Sequence, residues 1–143
     1  MKESVGILII SRKTNRFLLL HRVNKPLVWS LLSGKMDVKG ETPLQTIKRE
    51  IKEEINLDPN KVKNIKKIGE LKDNKLFHLF VGFVDDEFKP QLQVSELDDY
   101  GWYTLKNLPS PLHNKWHSTF HLVKKYLSLR EDIIKIIKNL LDD

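Results

Sequence analysis

The sequence predicts a single α/β domain in which a mixed β-sheet packs against helices. Its 143 residues suit one domain with one core. Short apolar segments of strand length recur along the chain, and one well-capped amphipathic helix interrupts them. A second helical region closes the sequence. Strands and helices in this arrangement favour an α/β sandwich that spans residues 1–143.

The N-terminal part of the chain predicts three strands. Val5–Ser11 is a continuous apolar run suited to a buried strand, and Phe17–Arg22 follows it after a polar turn, so the pair predicts a hairpin. Pro26 then interrupts the chain. Val28–Leu32 predicts a short strand that leads into a loop beginning near Gly34.

The central helix has clear start and stop signals. Thr42 is a good N-cap, Pro43 suits the first helical position, and Gln45 completes a capping box. Asn56 can adopt the left-handed conformation that ends a helix. An apolar stripe predicts the side that packs on the sheet; its members are Leu44, Ile47, Ile51 and Ile55.

The region after this helix predicts three more strands. Val62–Leu71 and Leu76–Val84 are joined by a short turn, and the second is nearly all apolar, which is typical of a central strand. Residues 85–101 predict an acidic loop, and Trp102–Thr104 predicts a short closing strand. The strand aromatics are interpreted as core residues rather than a base-stacking surface; they are Trp29, Phe80, Trp102 and Tyr103.

The C-terminus predicts helices from about Ser118 to Leu141, with a break near Ser128. This region has more apolar residues than one narrow stripe needs: Ile133, Ile134, Ile136, Ile137, Leu140 and Leu141. They pack either on the domain itself or on a second subunit, and we expect intramolecular packing. Both a monomer and a homodimer are consistent with the sequence.

Composition excludes several classes of protein. The chain has no cysteine, which rules out disulfides, thiolate zinc sites and cysteine nucleophiles, and its five histidines do not form a zinc-binding pattern. The apolar runs are too short to span a membrane, and no signal-peptide pattern is present, so we expect a cytoplasmic protein. The net charge of +6 attracts nucleotides or RNA, or it reflects solubilising lysines, since no arginine-rich stripe marks a nucleic-acid groove.

Three carboxylates, Glu50, Glu53 and Glu54, lie within reach of one point on the surface of the central helix. Each like-charge pair costs about 0.2–0.5 kcal/mol without a cation, so the cluster predicts a divalent-cation site. A solvated helix face is the alternative for such a charged segment. The loop that begins at Gly34 and the acid Glu41 just before the cap favour the cation site.

These residues resemble the Nudix box, which joins a glycine, a glutamate and an Arg-Glu-x-x-Glu-Glu helix. The matching positions are Gly34, Glu41, Arg49-Glu50, Glu53-Glu54 and Leu57. Six residues rather than five separate the glycine from the first glutamate, and Asn56 replaces the usual glycine. The flanking strands within residues 4–109 also resemble the family. The resemblance implies a Nudix-type α/β/α sandwich with a mixed β-sheet.

The resemblance also implies roles for individual residues. Glu50, Glu53 and Glu54 would bind Mg²⁺, with Mn²⁺ as an alternative, and one of them would serve as base for the attacking water. The carbonyl of Gly34 would add a ligand. Arg49 would orient the glutamates, with Glu41 bracing it.

Three further residues are predicted at the site by position. Glu96 falls where related enzymes carry another metal-binding or basic glutamate, although an ordinary loop acid is equally consistent. Lys35 lies beside the loop, where it would meet phosphate oxygens. Arg22 ends the second strand and would bind a phosphate or form a structural salt bridge.

The implied reaction is Mg²⁺-dependent hydrolysis of a nucleoside diphosphate linked to another moiety. The sequence marks of ADP-ribose and diadenosine polyphosphate hydrolases, a proline and a tyrosine after the box, are absent. The substrate is therefore predicted only as a nucleotide or a nucleotide derivative. A catalytically inactive module that binds nucleotide or RNA is the second hypothesis, and the complete set of glutamates favours the enzyme.

Overall fold

The computed structural model describes residues 2–24 and 26–142. It contains seven strands, two α-helices and one 3₁₀ turn at Pro59–Lys61. In chain order the elements are β1 (Lys2–Ser11), β2 (Phe17–Arg22), β3 (Trp29–Ser30), β4 (Leu32–Lys35), α1 (Pro43–Ile55), β5 (Lys63–Lys72), β6 (Lys75–Val84), β7 (Leu97–Tyr103) and α2 (Trp116–Asp142).

The strands form one mixed sheet in the order β3-β2-β1-β6-β5, with β4 paired to β1 and β7 paired to β2. Strand β1 runs parallel to β6 along its whole length. Two strands share the other edge of β1. Strand β2 pairs with β1 only at Ile10, and β4 pairs antiparallel with residues 4–7 of β1. The predicted mixed sheet is confirmed, and β1 is its central strand.

The two helices cover opposite faces of this sheet. Helix α1 contributes Ile47, Ile51 and Ile55 to one core, together with Ile7 and Phe80 of the sheet. The other face carries a second core in which α2 is represented by Trp116 and Val123. Apolar burial on both faces accounts for the nearly all-apolar sequences of β1 and β6. The predicted α/β/α sandwich is therefore confirmed.

Helix α1 begins and ends as its sequence predicts. The amide of Gln45 donates to Oγ1 of Thr42 at 3.1 Å, and the amide of Thr42 donates to Oε1 of Gln45 at 2.9 Å. Asn56 ends the helix with φ of 51°. The predicted packing on the sheet is wrong for one residue of the stripe. Leu44, in the first turn, is 40% exposed. Glu54, predicted to share one point on the helix surface with Glu50 and Glu53, is instead fully buried.

Two other boundaries differ from the prediction. Strand β7 begins at Leu97 rather than at Trp102, because residues 97–103 pair with β2. The predicted break near Ser128 is absent, and α2 is one continuous helix of 27 residues. A single serine costs a helix only a few tenths of a kcal/mol, roughly, so it does not by itself end one. No helix in the described part of the chain is both long enough and apolar enough to cross a membrane.

Candidate active site

Glu50 and Gly34 are in direct contact at the centre of the site. Strand β4 places Gly34 opposite Val5 of β1, and α1 lays the Glu50 side chain across the glycine. A Cβ atom on Gly34 would overlap the Glu50 carboxylate, so only glycine leaves room for it. The Glu50 side chain is 12% exposed. The contact brings a backbone segment and a carboxylate together at the end of β4.

Arg49 connects the other acidic residues around this contact. Its Nε and Nη2 donate to Glu41 at 3.0–3.2 Å, and its Nη1 donates to Glu53 at 3.1 Å and to Glu50 at 3.2 Å. The contact between Arg49 and Glu41 implied by the resemblance is present. The hydrogen bond from Arg49 lowers the pKa of Glu41. Glu41 also accepts a hydrogen bond from the hydroxyl of Thr46 at 2.7 Å. Glu41 therefore holds Arg49, and Arg49 holds the two glutamates.

Glu54 turns away from this group and is buried. Its Oε2 accepts from Nη1 of Arg22 at 2.7 Å, and its Oε1 accepts from the amide of Ser33 at 3.2 Å. Arg22 also donates from Nε to Ser30 at 3.1 Å and from Nη2 to Ser33 at 2.9 Å. Burial raises the pKa of Glu54, and its bonds with Arg22 and Ser33 oppose that rise. Arg22 thus forms a structural ion pair that ties β2 to α1, which leaves its phosphate contact a prediction.

The other two predicted site residues lie at the edges of the same cleft. Glu96 precedes β7, and its Oε2 is 3.9 Å from Nη1 of Arg22. Its side chain is 46% exposed. Lys35, the last residue of β4, has an exposed side chain, and its carbonyl accepts from Arg49 at 3.5 Å. Three of the predicted acids, Glu50, Glu53 and Glu96, therefore border the cleft, whereas Glu41 and the buried Glu54 do not line it.

Electrostatics mark Glu50 as the most perturbed acid. Burial raises its pKa to about 7. The charge of Glu54 adds to this rise, Arg49 opposes it, and Glu53 and Glu96 raise it further. A carboxylate that is desolvated among like charges gains from a nearby cation.

Divalent-cation binding suits the chemistry of these donors, although they do not yet converge. Within residues 2–24 and 26–142, no three acidic or histidine side chains are arranged to hold a metal ion. Glu53 is held by Arg49 but is 48% exposed, so its side chain can turn toward Glu50. The donors are oxygen atoms, which Mg²⁺ prefers, and Mg²⁺ usually keeps several waters. Glu50 packed on Gly34, with the exposed Glu53 and Glu96 at the same cleft, therefore suits a hydrated divalent cation.

The acidic residues form one wall of a cleft of about 1260 Å³. A second wall comes from β6, from the β5–β6 turn and from the segment that enters α2. Its residues include the aromatic Phe77 and Trp116, the basic Lys75 and Lys115, and His113. Sequence reasoning did not find this wall, because no local motif marks it and its parts meet only through the sheet. Phe80, considered for stacking, lies in the core as expected.

His113 is held in one tautomer within this second wall. Its Nδ1 accepts from the amide of Lys115 at 3.1 Å, which leaves the ring proton on Nε2. Burial lowers its pKa, and the positive charges of Arg22 and Lys115 lower it further. The amide of His113 donates to the carbonyl of Trp29, which anchors this segment beside β3. His113 therefore gives the cleft a neutral donor, which sequence reasoning had not singled out.

Comparisons with known proteins show the family and the fold of this chain. A family model described as NUDIX domain matches residues 1–125. A dihydroneopterin triphosphate diphosphatase from Haemophilus influenzae is 28% identical over 144 aligned positions, covering 87% of each chain. The structure of a C. elegans Ap4A hydrolase binary complex has a TM-score of 0.71 at 20% identity, covering 90% of this chain and 98% of that one.

The structure of the E. coli dihydroneopterin triphosphate pyrophosphohydrolase has a TM-score of 0.57 at 22% identity, covering 70% of this chain and 78% of that one. Both structural likenesses concern the fold. The family model, by contrast, includes the strands and the helix that carry Gly34, Arg49 and Glu50. The chain therefore belongs to the NUDIX domain family and is a hydrolase that acts on phosphoanhydride bonds.

Proposed function

We propose that this chain is a Mg²⁺-dependent pyrophosphohydrolase that cleaves a nucleoside diphosphate, or a nucleotide-like diphosphate, linked to another moiety. The observation that carries the proposal is the contact between Glu50 and Gly34. It brings a desolvated carboxylate against backbone in the lining of a large cleft. A cytoplasmic location remains a prediction from the sequence.

In this proposal, some residues of the chain bind the cation and others hold those ligands in position. Glu50 and Glu53, with Glu96 beside Arg22 at the same wall, supply oxygen ligands for the cation, and the Gly34 carbonyl adds another. Glu41 keeps Arg49 in place, and Arg49 in turn limits the positions that Glu50 and Glu53 adopt. When bound, Mg²⁺ neutralises phosphate oxygens and lowers the pKa of a coordinated water.

Glu54 plays a supporting part in this proposal. Its carboxylate is fully buried and paired with Arg22, so it contributes charge and rigidity to the site, and it needs a movement of Arg22 to act as a ligand. Separating the two partners of a buried ion pair is costly. Glu50 and Glu53 are therefore proposed as the principal ligands.

The second wall of the cleft suits a planar group linked to phosphates. The partly buried Phe77 offers apolar surface, with the core residue Trp116 behind it at the lining, and Lys75 and Lys115 offer positive charge for phosphate oxygens. Nucleotides combine these two features, and so does dihydroneopterin triphosphate, the substrate in the name of the Haemophilus relative. We therefore propose nucleoside triphosphates and dihydroneopterin triphosphate as the first substrates to examine.

A panel assay tests this function. The chain is incubated with Mg²⁺ and each of several nucleoside triphosphates, dinucleoside polyphosphates, capped RNA and dihydroneopterin triphosphate, and the phosphate products are separated by ion chromatography. We expect pyrophosphate release from a subset of these, and its loss in EDTA. Glu53→Gln is expected to lower kcat by roughly 100-fold or more, as for other groups that stabilise transition-state charge.

Glu131→Gln is the matched control, because this exposed acid lies on α2 away from the cleft. Equal activity in Glu53→Gln and Glu131→Gln would exclude the proposed metal ligands. Tight binding of a nucleotide without hydrolysis of any compound would favour the alternative, an inactive module that binds nucleotide or RNA.

A further inference from the structure

The second half of α2 packs against none of the other elements that the structure describes. The first half packs on the sheet through Trp116 and Val123, and Arg130 makes the last contact, donating to Asn15 at 3.2 Å. Residues 131–142 are all exposed. Within the part of the chain that the structure describes, no hydrogen bond or ion pair joins them to the domain. The expectation that these apolar residues pack within the chain is therefore wrong.

The exposed apolar residues of this segment form a continuous seam. Leu129, Ile133, Ile136 and Leu140 follow one another at spacings of four, three and four. This is the spacing of the a and d positions of a coiled coil. Their exposed fractions lie between 49% and 71%. Ile137 widens the seam on one flank, so the segment presents an apolar face rather than scattered residues.

We propose that the seam pairs with the same seam of a second copy of this chain, in antiparallel orientation. The spacing of four, three and four is the same in both directions, so a two-fold axis places every member opposite another. Leu129 then faces Leu140 of the second copy, and Ile133 faces Ile136. The segment from residue 129 to residue 142 is about 21 Å long, long enough for four such layers.

The residues beside the seam favour the antiparallel orientation over a parallel one. In an antiparallel pair, each flank faces the same flank of the second copy. Asp132 then meets Asn139, whose amide can donate to the carboxylate. In a parallel pair, opposite flanks meet, and Asp132 would lie against the apolar Ile137. A parallel pair would also bring the two globular bodies together at one end.

The oligomeric state of the full-length chain is the first test. Light scattering over about a hundredfold range of concentration should show a dimer that dissociates on dilution. Ile136→Glu places a charge in the centre of the seam and should give a monomer at every concentration. Lys138 lies on the opposite, polar face of the helix, so Lys138→Glu should leave the dimer intact. Circular dichroism of the variants verifies that each remains folded.

Disulfide trapping tests the orientation of the two helices. Because the chain has no native cysteine, only the introduced cysteines can cross-link. A disulfide needs Cα atoms about 4.4–6.8 Å apart. In the antiparallel pair, Leu129→Cys mixed with Leu140→Cys should cross-link, whereas each variant alone should not, because like positions lie about 16 Å apart along the helix axis.

Three results would overturn the proposal. A wild-type chain that stays monomeric throughout would exclude self-association through the seam. A dimer that survives Ile136→Glu would place the interface elsewhere. Cross-linking of Leu129→Cys with itself would show parallel helices.

Discussion

Nη1 of Arg22 lies 2.7 Å from Oε2 of Glu54, and the Glu54 side chain has no exposed surface. The pair joins the end of β2 to the last turn of α1, directly behind the carboxylates that border the cleft. Two sequence neighbours, Glu53 and Glu54, thus have opposite surroundings. One faces the cleft and the other supports the wall from behind.

Removing Arg22 should be strongly destabilising. Arg22→Met leaves the Glu54 carboxylate buried without a counter-charge, and breaking a buried pair in this way costs about 3–5 kcal/mol. Urea denaturation measures the loss in the free energy of unfolding. Arg16→Met is the control, because Arg16 pairs with Glu87 at 2.6 Å but is 47% exposed. That surface pair should contribute about 1 kcal/mol or less. Equal losses would mean that Glu54 is not desolvated.

Adding one methyl group at Gly34 should disable the site without unfolding the domain. In Gly34→Ala the new Cβ displaces the Glu50 carboxylate, since the two would overlap. A misplacement near 1 Å can cost roughly 100-fold, and we expect kcat/KM to fall by about that factor. Calorimetric titration with Mg²⁺ should show weaker binding as well.

Gly40→Asn is the control for this substitution. Gly40 has φ of +82°, and a Cβ atom added there would meet no other atom within 4 Å. Asparagine also tolerates a left-handed conformation. The activity of this variant should stay near that of the wild type. Normal Mg²⁺ binding by Gly34→Ala would show that the Glu50–Gly34 contact does not shape the cation site.

The local signals of α1 were sufficient to predict its ends. Thr42 and Gln45 are three residues apart and satisfy each other, and Asn56 itself takes the left-handed conformation that ends the helix. The burial of Glu54 was not predictable in this way. It depends on Arg22, which is 32 residues earlier in the chain and arrives through the pairing of strands.

The second wall of the cleft shows the same limit on a larger scale. Phe77 lies on β6, His113 in the loop before α2 and Trp116 at the start of α2, and the bridge from Trp29 to Leu112 holds that loop beside β3. Strand β7 was predicted too short for a related reason. Its first residues include Asp98 and Asp99, which suggest a loop, but pairing with β2 makes them part of the sheet.

The stability of the metal-free protein should fall as pH rises toward neutrality. The pKa of Glu50 is raised from 4.5 to about 7, so the folded state keeps a proton that the unfolded state releases between these values. This proton's contribution to the free energy of unfolding is complete below about pH 4.5 and is lost by about pH 7. It amounts to at most about 3 kcal/mol.

Denaturation in EDTA at several pH values measures this effect. Glu50→Gln removes the titrating group, so its free energy of unfolding should decline less over the same interval than that of the wild type. Glu131→Gln provides the control for losing one exposed carboxylate, and it should follow the wild type. Identical pH profiles for Glu50→Gln and the wild type would contradict the raised pKa.

Replacing His113 should weaken substrate binding more than turnover. The ring is neutral with its proton on Nε2, since its pKa is lowered from 6.5 and its Nδ1 accepts from Lys115. If Nε2–H donates to the substrate, His113→Ala loses one hydrogen bond of about 1 kcal/mol, and KM should rise about fivefold with little change in kcat. The wild-type KM should be independent of this ring between about pH 7 and 8, where it is uncharged.

His121→Ala, on the exposed side of α2, is the control and should leave KM unchanged. An unchanged KM in His113→Ala would limit this residue to anchoring its segment beside β3.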